Sequence, residues 1–259
     1  MSRSDRPPDP GPGSLPAPAP EDGTRGQTAV VGVALLLALT VLAIGGLTAT
    51  AGSIVDDGAT TAATTRVGAD LATALGPAPG NSKTTLELTD GTIRVVNRSV
   101  WLLTGDDVVW AAHAGAVVYA DGDQRVTGFA GAVVRSDDRG SRMVAPSRIT
   151  PARESLYVGV PALNATGADG IATGDRRLAV TLRTDAETAR DTLPAGDYRV
   201  AVETRDPEAW ERHLSDRGAA TERRDIDGDG VPSVVASFDS HKTVRLVVHD
   251  IRLDVGVGR

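Results

Sequence analysis

Three aspartates at alternate positions are the side chains whose spacing points most directly to chemistry. The motif Asp225-Ile-Asp227-Gly-Asp229-Gly230 supplies carboxylates at positions 1, 3 and 5 and a glycine at position 6, as at the start of an EF-hand loop. Position 12 is Ala236, so the bidentate glutamate of a complete loop is missing. The spacing predicts a weak Ca²⁺ site, and an acidic turn without metal is the alternative.

Two glycosylation triplets and four histidines are the other groups that could support chemistry. Asn97-Arg-Ser99 and Asn164-Ala-Thr166 match the acceptor pattern for N-glycosylation. The histidines lie outside the metalloprotease, hydrolase-elbow and phosphate-loop motifs. An envelope enzyme would need a cleft that brings His241 or His249 against an acid and a nucleophile. The sequence therefore predicts a protein that is not an enzyme.

Short stretches with apolar residues at every second position recur from Thr84 onward and predict β-strands. Turn residues separate many of them, and Leu86–Val95, with Asp90-Gly91 at its centre, is typical of a two-stranded hairpin. This pattern favours a mainly β fold, an antiparallel sandwich or a related architecture. The other predicted strands are Val100–Leu103, Val108–Ala112, Ala116–Tyr119, Val126–Val134, Arg142–Val144, Leu156–Val160, Arg177–Leu182, Tyr198–Glu203, Val234–Phe238 and Thr243–Val255.

One short helix is predicted within this β-rich region. Asp206 is a suitable N-cap, Pro207 suits the first helical position, and Gly218 ends the pattern. Trp210 and Leu214 lie four residues apart and would share one face of the helix. We therefore expect the helix to pack on the sheet through Trp210.

A charge-free run of 30 residues, from Gly26 to Val55, predicts one membrane-spanning helix. At about 1.5 Å per residue, some 20 residues cross the roughly 30 Å hydrocarbon core of a bilayer. Residues 1–24 contain seven prolines and little apolar surface, so we expect a disordered leader. Arg25 precedes the run and Asp56-Asp57 follows it, which predicts a cytoplasmic N-terminus and an extracellular C-terminal domain.

A second helical stripe follows the apolar run. Val67, Leu71 and Leu75 recur at four-residue spacing until Gly76-Pro77 stops the pattern, so the stripe can extend the membrane helix as a stalk. The predicted division is a leader at 1–26, a membrane and stalk helix at 27–76, a linker at 77–83 and a β-rich extracellular domain at 84–259.

The residues Arg25-Gly26-Gln27, directly before the apolar run, resemble the class III signal of archaeal type IV pilins and archaellins. In that family a membrane peptidase cuts on the cytoplasmic side, after a small residue that follows a basic one. The resemblance implies that Arg25 is the basic residue, Gly26 the last leader residue and Gln27 the mature N-terminus. It implies as partners the lipid bilayer, a prepilin-peptidase-like enzyme and other pilin-like subunits.

The segment differs from the pilin pattern at a position that matters for assembly. The fifth mature residue is Val31, where many type IV pilins have a glutamate that pairs with a neighbouring N-terminus. A minor pilin, an adhesion protein or an envelope component is therefore expected rather than a major filament subunit. The stretch Gly196–Glu203 is similar to a segment of uncharacterised haloarchaeal surface proteins that carry such a start.

Composition restricts the environment and the partners. Two of the 27 basic residues are lysine and 26 of the 34 acidic residues are aspartate, a bias similar to that of haloarchaeal proteins; a GC-rich genome is the alternative. The net charge of −7 and the pI near 5.1 argue against nucleic acid as a partner. The chain has no cysteine, which excludes disulfides and thiolate metal sites.

These features predict a membrane-anchored, pilin-like cell-surface protein that is not an enzyme. The alternative is a signal-anchored extracellular module that binds a ligand or partner through its loops and has no filament role. Apart from Ca²⁺, no cofactor is predicted.

Overall fold

The computed structural model describes residues 60–76, 82–88, 91–164, 171–172, 178–238 and 241–256. All of them belong to one unit of the chain, Val55–Arg259. The predicted leader and the apolar run from Gly26 to Val55 lie outside the described residues. In the part of the chain that is described, no helix is both long enough and apolar enough to cross a membrane.

The described unit is mainly antiparallel β, as the sequence predicts, with two helices. The helices are α1 (residues 60–74) and α2 (Pro207–Ser215). The strands are β1 (Ser82–Leu88), β2 (Thr92–Thr104), β3 (Asp107–Asp121), β4 (Gln124–Phe129), β5 (Ala132–Asp137), β6 (Gly140–Ala145), β7 (Arg148–Pro151), β8 (Ser155–Asn164), β9 (Ile171–Ala172), β10 (Leu178–Gly196), β11 (Tyr198–Glu203), β12 (Ala220–Arg224), β13 (Ser233–Ser237) and β14 (Lys242–Gly256).

The strands form two sheets. The first sheet has the order β1-β10-β14-β8-β7, and within it β8 and β14 run parallel. The second has the order β12-β13-β11-β2-β3-β4-β5-β6, with β9 paired to β2. Every other described pair is antiparallel.

A shared apolar core joins the two sheets and α2. Because successive side chains of a strand point to opposite faces, alternate residues of each strand enter this core. Leu102 of the second sheet and Val160 of the first sheet are both fully buried in it. Trp210 and Leu214 of α2 belong to the same cluster. The prediction that Trp210 packs this helix on the sheet is therefore confirmed.

A second core holds α1 against the β-strands. The predicted stripe of Val67, Leu71 and Leu75 is helical and buried, and it packs in one cluster with residues of both sheets. Gly128 of β4 leaves room for the helix, since a Cβ there would lie 2.7 Å from Leu75 Cδ1. The Arg148 guanidinium donates a hydrogen bond to the Leu75 carbonyl at 2.5 Å. This helix thus belongs to the folded β unit, where the sequence pattern suggested a separate stalk.

The hairpin predicted around Asp90-Gly91 is wrong. Strand β1 pairs with β10, and β2 pairs with β3, so the two strands on either side of this turn lie in different sheets. Gly91 has a φ of 81°, as a turn residue would, and Asp90 lies outside the described residues. Burial of Leu86 and Leu88 beside α1 outweighs the local preference of the Asp-Gly pair.

Other differences concern strand number and length. The predicted strand Val126–Val134 is broken by a tight turn in which Ala130 and Gly131 have φ values of 48° and 77°. Strand β7 has four residues, and β12 is polar and half-exposed, so neither carries the alternating apolar pattern from which strands are predicted.

Candidate functional site

The three aspartates singled out by their spacing lie together in the loop between β12 and β13. One carboxylate oxygen from each of Asp225, Asp227 and Asp229 lies within 4.8 Å of the others, and all three residues are exposed. Gly228 and Gly230 adopt positive φ values of 77° and 83°, which explains why glycine alternates with aspartate here. The loop therefore brings the predicted ligands to one point on the surface.

The dimensions of this loop fit a Ca²⁺ ion. Calcium–oxygen distances are about 2.3–2.6 Å, so two oxygens on opposite sides of the ion lie about 5 Å apart. Backbone N–H groups of the loop itself already bind two of the carboxylates: Gly228 and Gly230 donate to Asp225 at 2.8 and 3.1 Å, and Val231 donates to Asp229 at 2.8 Å. Calcium would need water molecules to complete its six to eight ligands.

The loop is held in place by an apolar contact on the outer face of the second sheet. Ile226, between two of the aspartates, packs on a small buried cluster that includes Trp101, Leu103 and Val235. Its neighbours Asp225 and Asp227 are exposed. The loop thus combines one apolar anchor with a carboxylate on each side.

A buried carboxylate lies beside the aspartate loop and was not found by sequence reasoning. Glu203, at the end of β11, lines a cavity of about 390 Å³ together with Asp227 and Asp229. Burial raises the pKa of Glu203, and the negative charges of Asp229 and Asp227 act in the same direction, while Arg98 opposes them. Arg98 Nη1 lies 3.0 Å from Glu203 Oε1, although without hydrogen-bond geometry.

Backbone and histidine contacts complete this cavity. The backbone N–H of Ser99 donates to Glu203 Oε2 at 2.9 Å, and Ser99 Oγ lies 2.8 Å from His113 Nδ1. Asn97, one of the two predicted glycosylation residues, is exposed at the same cavity. The other, Asn164, is the last residue of β8, and its side chain lies outside the described atoms.

The remaining histidines lie apart and have separate partners. His213 is buried in α2, where Ser147 Oγ lies 2.9 Å from Nε2. His241 Nδ1 contacts Asp197 at 3.2 Å on the surface. His249 Nδ1 contacts Thr188 at 2.9 Å, and burial lowers the pKa of this histidine. His241 directly precedes β14, and His249 lies seven residues after the first residue of that strand, so roughly 23 Å of strand separates them at about 3.3 Å per residue.

The predicted processing residues Arg25, Gly26 and Gln27 lie outside the described residues. A cavity near α2, lined by four arginines, is a further feature that sequence reasoning missed. Its arginines come from β2, β4 and the segment before α2, so their proximity depends on strand pairing. The one sequence pattern that could have indicated this cavity is the alternation Arg94-Val-Val96-Asn-Arg98, which places both arginines on the same face of one strand.

Comparison with known proteins places the chain in a family without giving it a function. No curated protein and no solved structure is detectably similar to it. One family description matches residues 25–254, which includes the apolar run and nearly all of the β unit. The chain belongs to DUF7289, a family of unknown function.

Proposed function

We propose that this protein is a single-pass membrane protein that carries its β domain on the outer side of the cell membrane and acts there by binding. The observation that carries the proposal is the order of segments along the chain. A charge-free run of 30 residues, Gly26–Val55, leads directly into a β unit that begins at Val55. The run has the length of a membrane helix, and the unit has the cores of a folded domain.

The pilin-type start is the specific form of this proposal. Arg25-Gly26-Gln27 would be cut after Gly26, and the apolar segment would remain on the mature protein as anchor or filament contact. The family match begins at Arg25, the first residue of this motif, and leaves the proline-rich leader outside. A minor pilin, an adhesion protein or an envelope component would have this organisation.

The mature N-terminus tests the pilin-type start. Mass spectrometry of the protein purified from its own membranes is expected to find Gln27 as the first residue. Gly26→Phe should block cleavage, because a bulky residue replaces the small one before the cut, whereas Gly23→Phe in the same leader should leave it unchanged. An intact leader in the unaltered protein would reject pilin-type processing. So would an N-terminus at Gly52, where a signal peptidase would cut after the small residues Ala49-Thr50-Ala51.

A second candidate is a signal-anchored binding module with no filament role. Val31, at the position where many type IV pilins have glutamate, favours it. The two candidates differ in where the protein is found: a minor pilin copurifies with surface filaments, whereas an anchored module stays with the membrane after the filaments are sheared off.

A further inference from the structure

A cavity of about 200 Å³ lies between the second sheet and the start of α2. We call it the arginine pocket, because Arg94, Arg98, Arg125 and Arg205 line it. Its apolar wall includes Val96, Ala116, Val118, Phe129, Val134 and Trp210. The pocket thus combines a largely buried apolar surface with four cationic side chains.

Strand register explains how the pocket is assembled. Arg94, Val96 and Arg98 alternate along β2 and therefore point to the same face of the sheet. Arg94 lies opposite Val118 of β3, which lies opposite Thr127 of β4, so these residues form one row across the sheet. The segment before α2 adds Arg205 to the lining.

Three of the four guanidinium groups are without an anionic partner. Within the described ranges, Arg94, Arg125 and Arg205 form no ion pair and no side-chain hydrogen bond. Arg98 is the exception, since it contacts the buried Glu203. These three guanidinium groups therefore keep their N–H donors available for an anion that enters the pocket.

Within the lining of the pocket itself, the arginines outnumber the acids. Its lining includes two carboxylates, Glu203 and Asp206, against four guanidinium groups, which leaves two positive charges. Arg125 and Arg205 also border a neighbouring groove that contains further acids. None of those acids forms an ion pair with either arginine, and Glu208 is paired with Arg223. The groove acids are Asp123, Asp137, Asp138, Asp206 and Glu208.

The chemistry of the lining defines the ligand. A guanidinium group binds a carboxylate through two parallel N–H···O bonds, which makes arginine the preferred partner for planar anions. The wall of valines, alanines and aromatic rings would cover an apolar body, and the Thr127 hydroxyl is available for one more hydrogen bond. The volume is below the roughly 300–1,000 Å³ of sites for drug-sized ligands. We propose that the arginine pocket binds a small organic acid, a carboxylate carried on a compact apolar body.

Calorimetric titration tests this proposal with cyclohexanecarboxylate as the probe. The full-length protein is used in lipid nanodiscs at fixed ionic strength, and a titration of empty nanodiscs is subtracted. We expect saturable binding at one site. Cyclohexanecarboxamide, which keeps the ring and lacks the charge, should bind at least tenfold more weakly. Acetate, which keeps the charge and lacks the ring, should also bind at least tenfold more weakly.

Substitutions locate the binding site. Arg94→Gln and Arg125→Gln should each weaken binding of the probe at least tenfold, because each removes a guanidinium group from the pocket. Arg66→Gln, on the exposed face of α1, makes the same charge change elsewhere and should leave the affinity unchanged. Thermal melting of each variant checks that it is folded. If one of the two pocket variants is unfolded, the affinity of the other tests the location of the site.

Three results would overturn the proposal: no saturable binding of the probe, equal affinity for the carboxamide, or equal weakening by Arg66→Gln. The inference rests on the proposed binding role of the domain and not on its anchoring. A mature N-terminus at Gln27 with no binding of the acid would therefore reject the pocket proposal alone. Binding of the acid with an intact leader would reject only pilin-type processing.

Discussion

At the residue scale, the aspartate loop links metal binding to stability. Asp225, Asp227 and Asp229 repel one another at close range, and a cation between them would remove that repulsion. If the loop binds Ca²⁺, a hundredfold excess of the ion over its Kd should stabilise the domain by about 2.7 kcal/mol. The missing glutamate predicts weak affinity, in the millimolar range typical of extracellular calcium sites.

The calcium prediction is tested by thermal melting of the full-length protein at fixed ionic strength, with CaCl₂ or with chelator. A calcium-dependent rise in Tm is expected, and Asp227→Ala should abolish it. Asp138→Ala, in the exposed turn after β5, removes one carboxylate elsewhere and should preserve the rise. Equal melting with calcium and with chelator would identify the loop as an acidic turn.

His213 gives a pH dependence whose direction follows from its surroundings. Burial lowers the pKa of His213 to about 4, and Arg217 acts in the same direction. The backbone N–H of Ser147 donates to Nε2 at 3.2 Å, which requires the neutral ring. Between pH 6.5 and 4 the unfolded chain binds a proton that the folded protein does not, so stability falls as pH falls through this window. Across this window the lowered pKa of His213 corresponds to a loss of stability on the order of 3 kcal/mol.

Substitution of His213 isolates this contribution from that of the carboxylates. His213→Gln should make the denaturation midpoint less dependent on pH between 6.5 and 4, whatever its effect at neutral pH. His241→Gln changes an exposed residue. The pH dependence of its denaturation midpoint should equal that of the unaltered protein. An unchanged slope in His213→Gln would show that this histidine titrates normally in the folded state.

Residue patterns predicted the aspartate loop but not the arginine pocket, for a physical reason. The ligands of the loop lie within five consecutive residues, so spacing alone brings them together. Arg94, Arg125 and Arg205 are separated by 31 and 80 residues, and they meet only because β11, β2, β3 and β4 pair in a specific register. Register depends on tertiary contacts, which a single sequence does not specify.

At the element scale, α1 is the feature whose interpretation changed most. Its apolar stripe predicted a helix, and the helix is present. The same stripe could not distinguish a helix that extends from a membrane from one that packs on a sheet, because both present one apolar face. The contacts of α1 show that it packs on the sheet, since Leu71 is fully buried and Gly128 provides space beneath the helix.

This packing predicts that α1 is required for the stability of the domain. Leu71→Ala should lower the free energy of unfolding by roughly 2–5 kcal/mol, the cost of a large-to-small change in a core. Arg66→Ala, on the exposed face of the same helix, should change it by less than about 0.5 kcal/mol. Chemical denaturation measures both, and equal effects of the two substitutions would contradict the packing of α1.

The same packing determines the smallest useful fragment. A fragment that begins at Val55 keeps α1, whereas one that begins at Ser82 loses Val67, Leu71 and Leu75 from the second core. The longer fragment should melt cooperatively, and the shorter one should melt at lower temperature or fail to fold.

At the scale of the whole molecule, the absence of cysteine gives a direct test of orientation. In the Gly26→Phe background, which is expected to keep the leader, Ser4→Cys places a single thiol in the leader and Asp138→Cys places one in an exposed turn of the β domain. A membrane-impermeant maleimide applied to intact cells should label the second variant and not the first. Labelling of both after the cells are opened provides the control. Labelling of the leader thiol on intact cells would reverse the proposed orientation.

Composition and hydrophobic periodicity predict the β content of the chain, but they do not predict the order of its strands. The change from a long apolar run to alternating strands predicted a β-rich region after the run, and the described unit is mainly β. The order of strands within the sheets was not predicted, because β1 and β2 are neighbours in sequence and lie in different sheets. Turn residues indicate where one strand ends and the next begins. The sheet to which each strand belongs depends instead on which apolar faces pack together.

The central place of β14 has a consequence for biosynthesis. This strand lies between β10 and β8 in the first sheet and follows every other described strand in sequence. A nascent chain that lacks residues 242–256 therefore exposes two unpaired strand edges, which favour aggregation. The sheet can close only when synthesis has passed residue 256, long after the apolar run has left the ribosome. If the β unit is exported as proposed, it would cross the membrane as an unfolded chain and complete its folding on the far side.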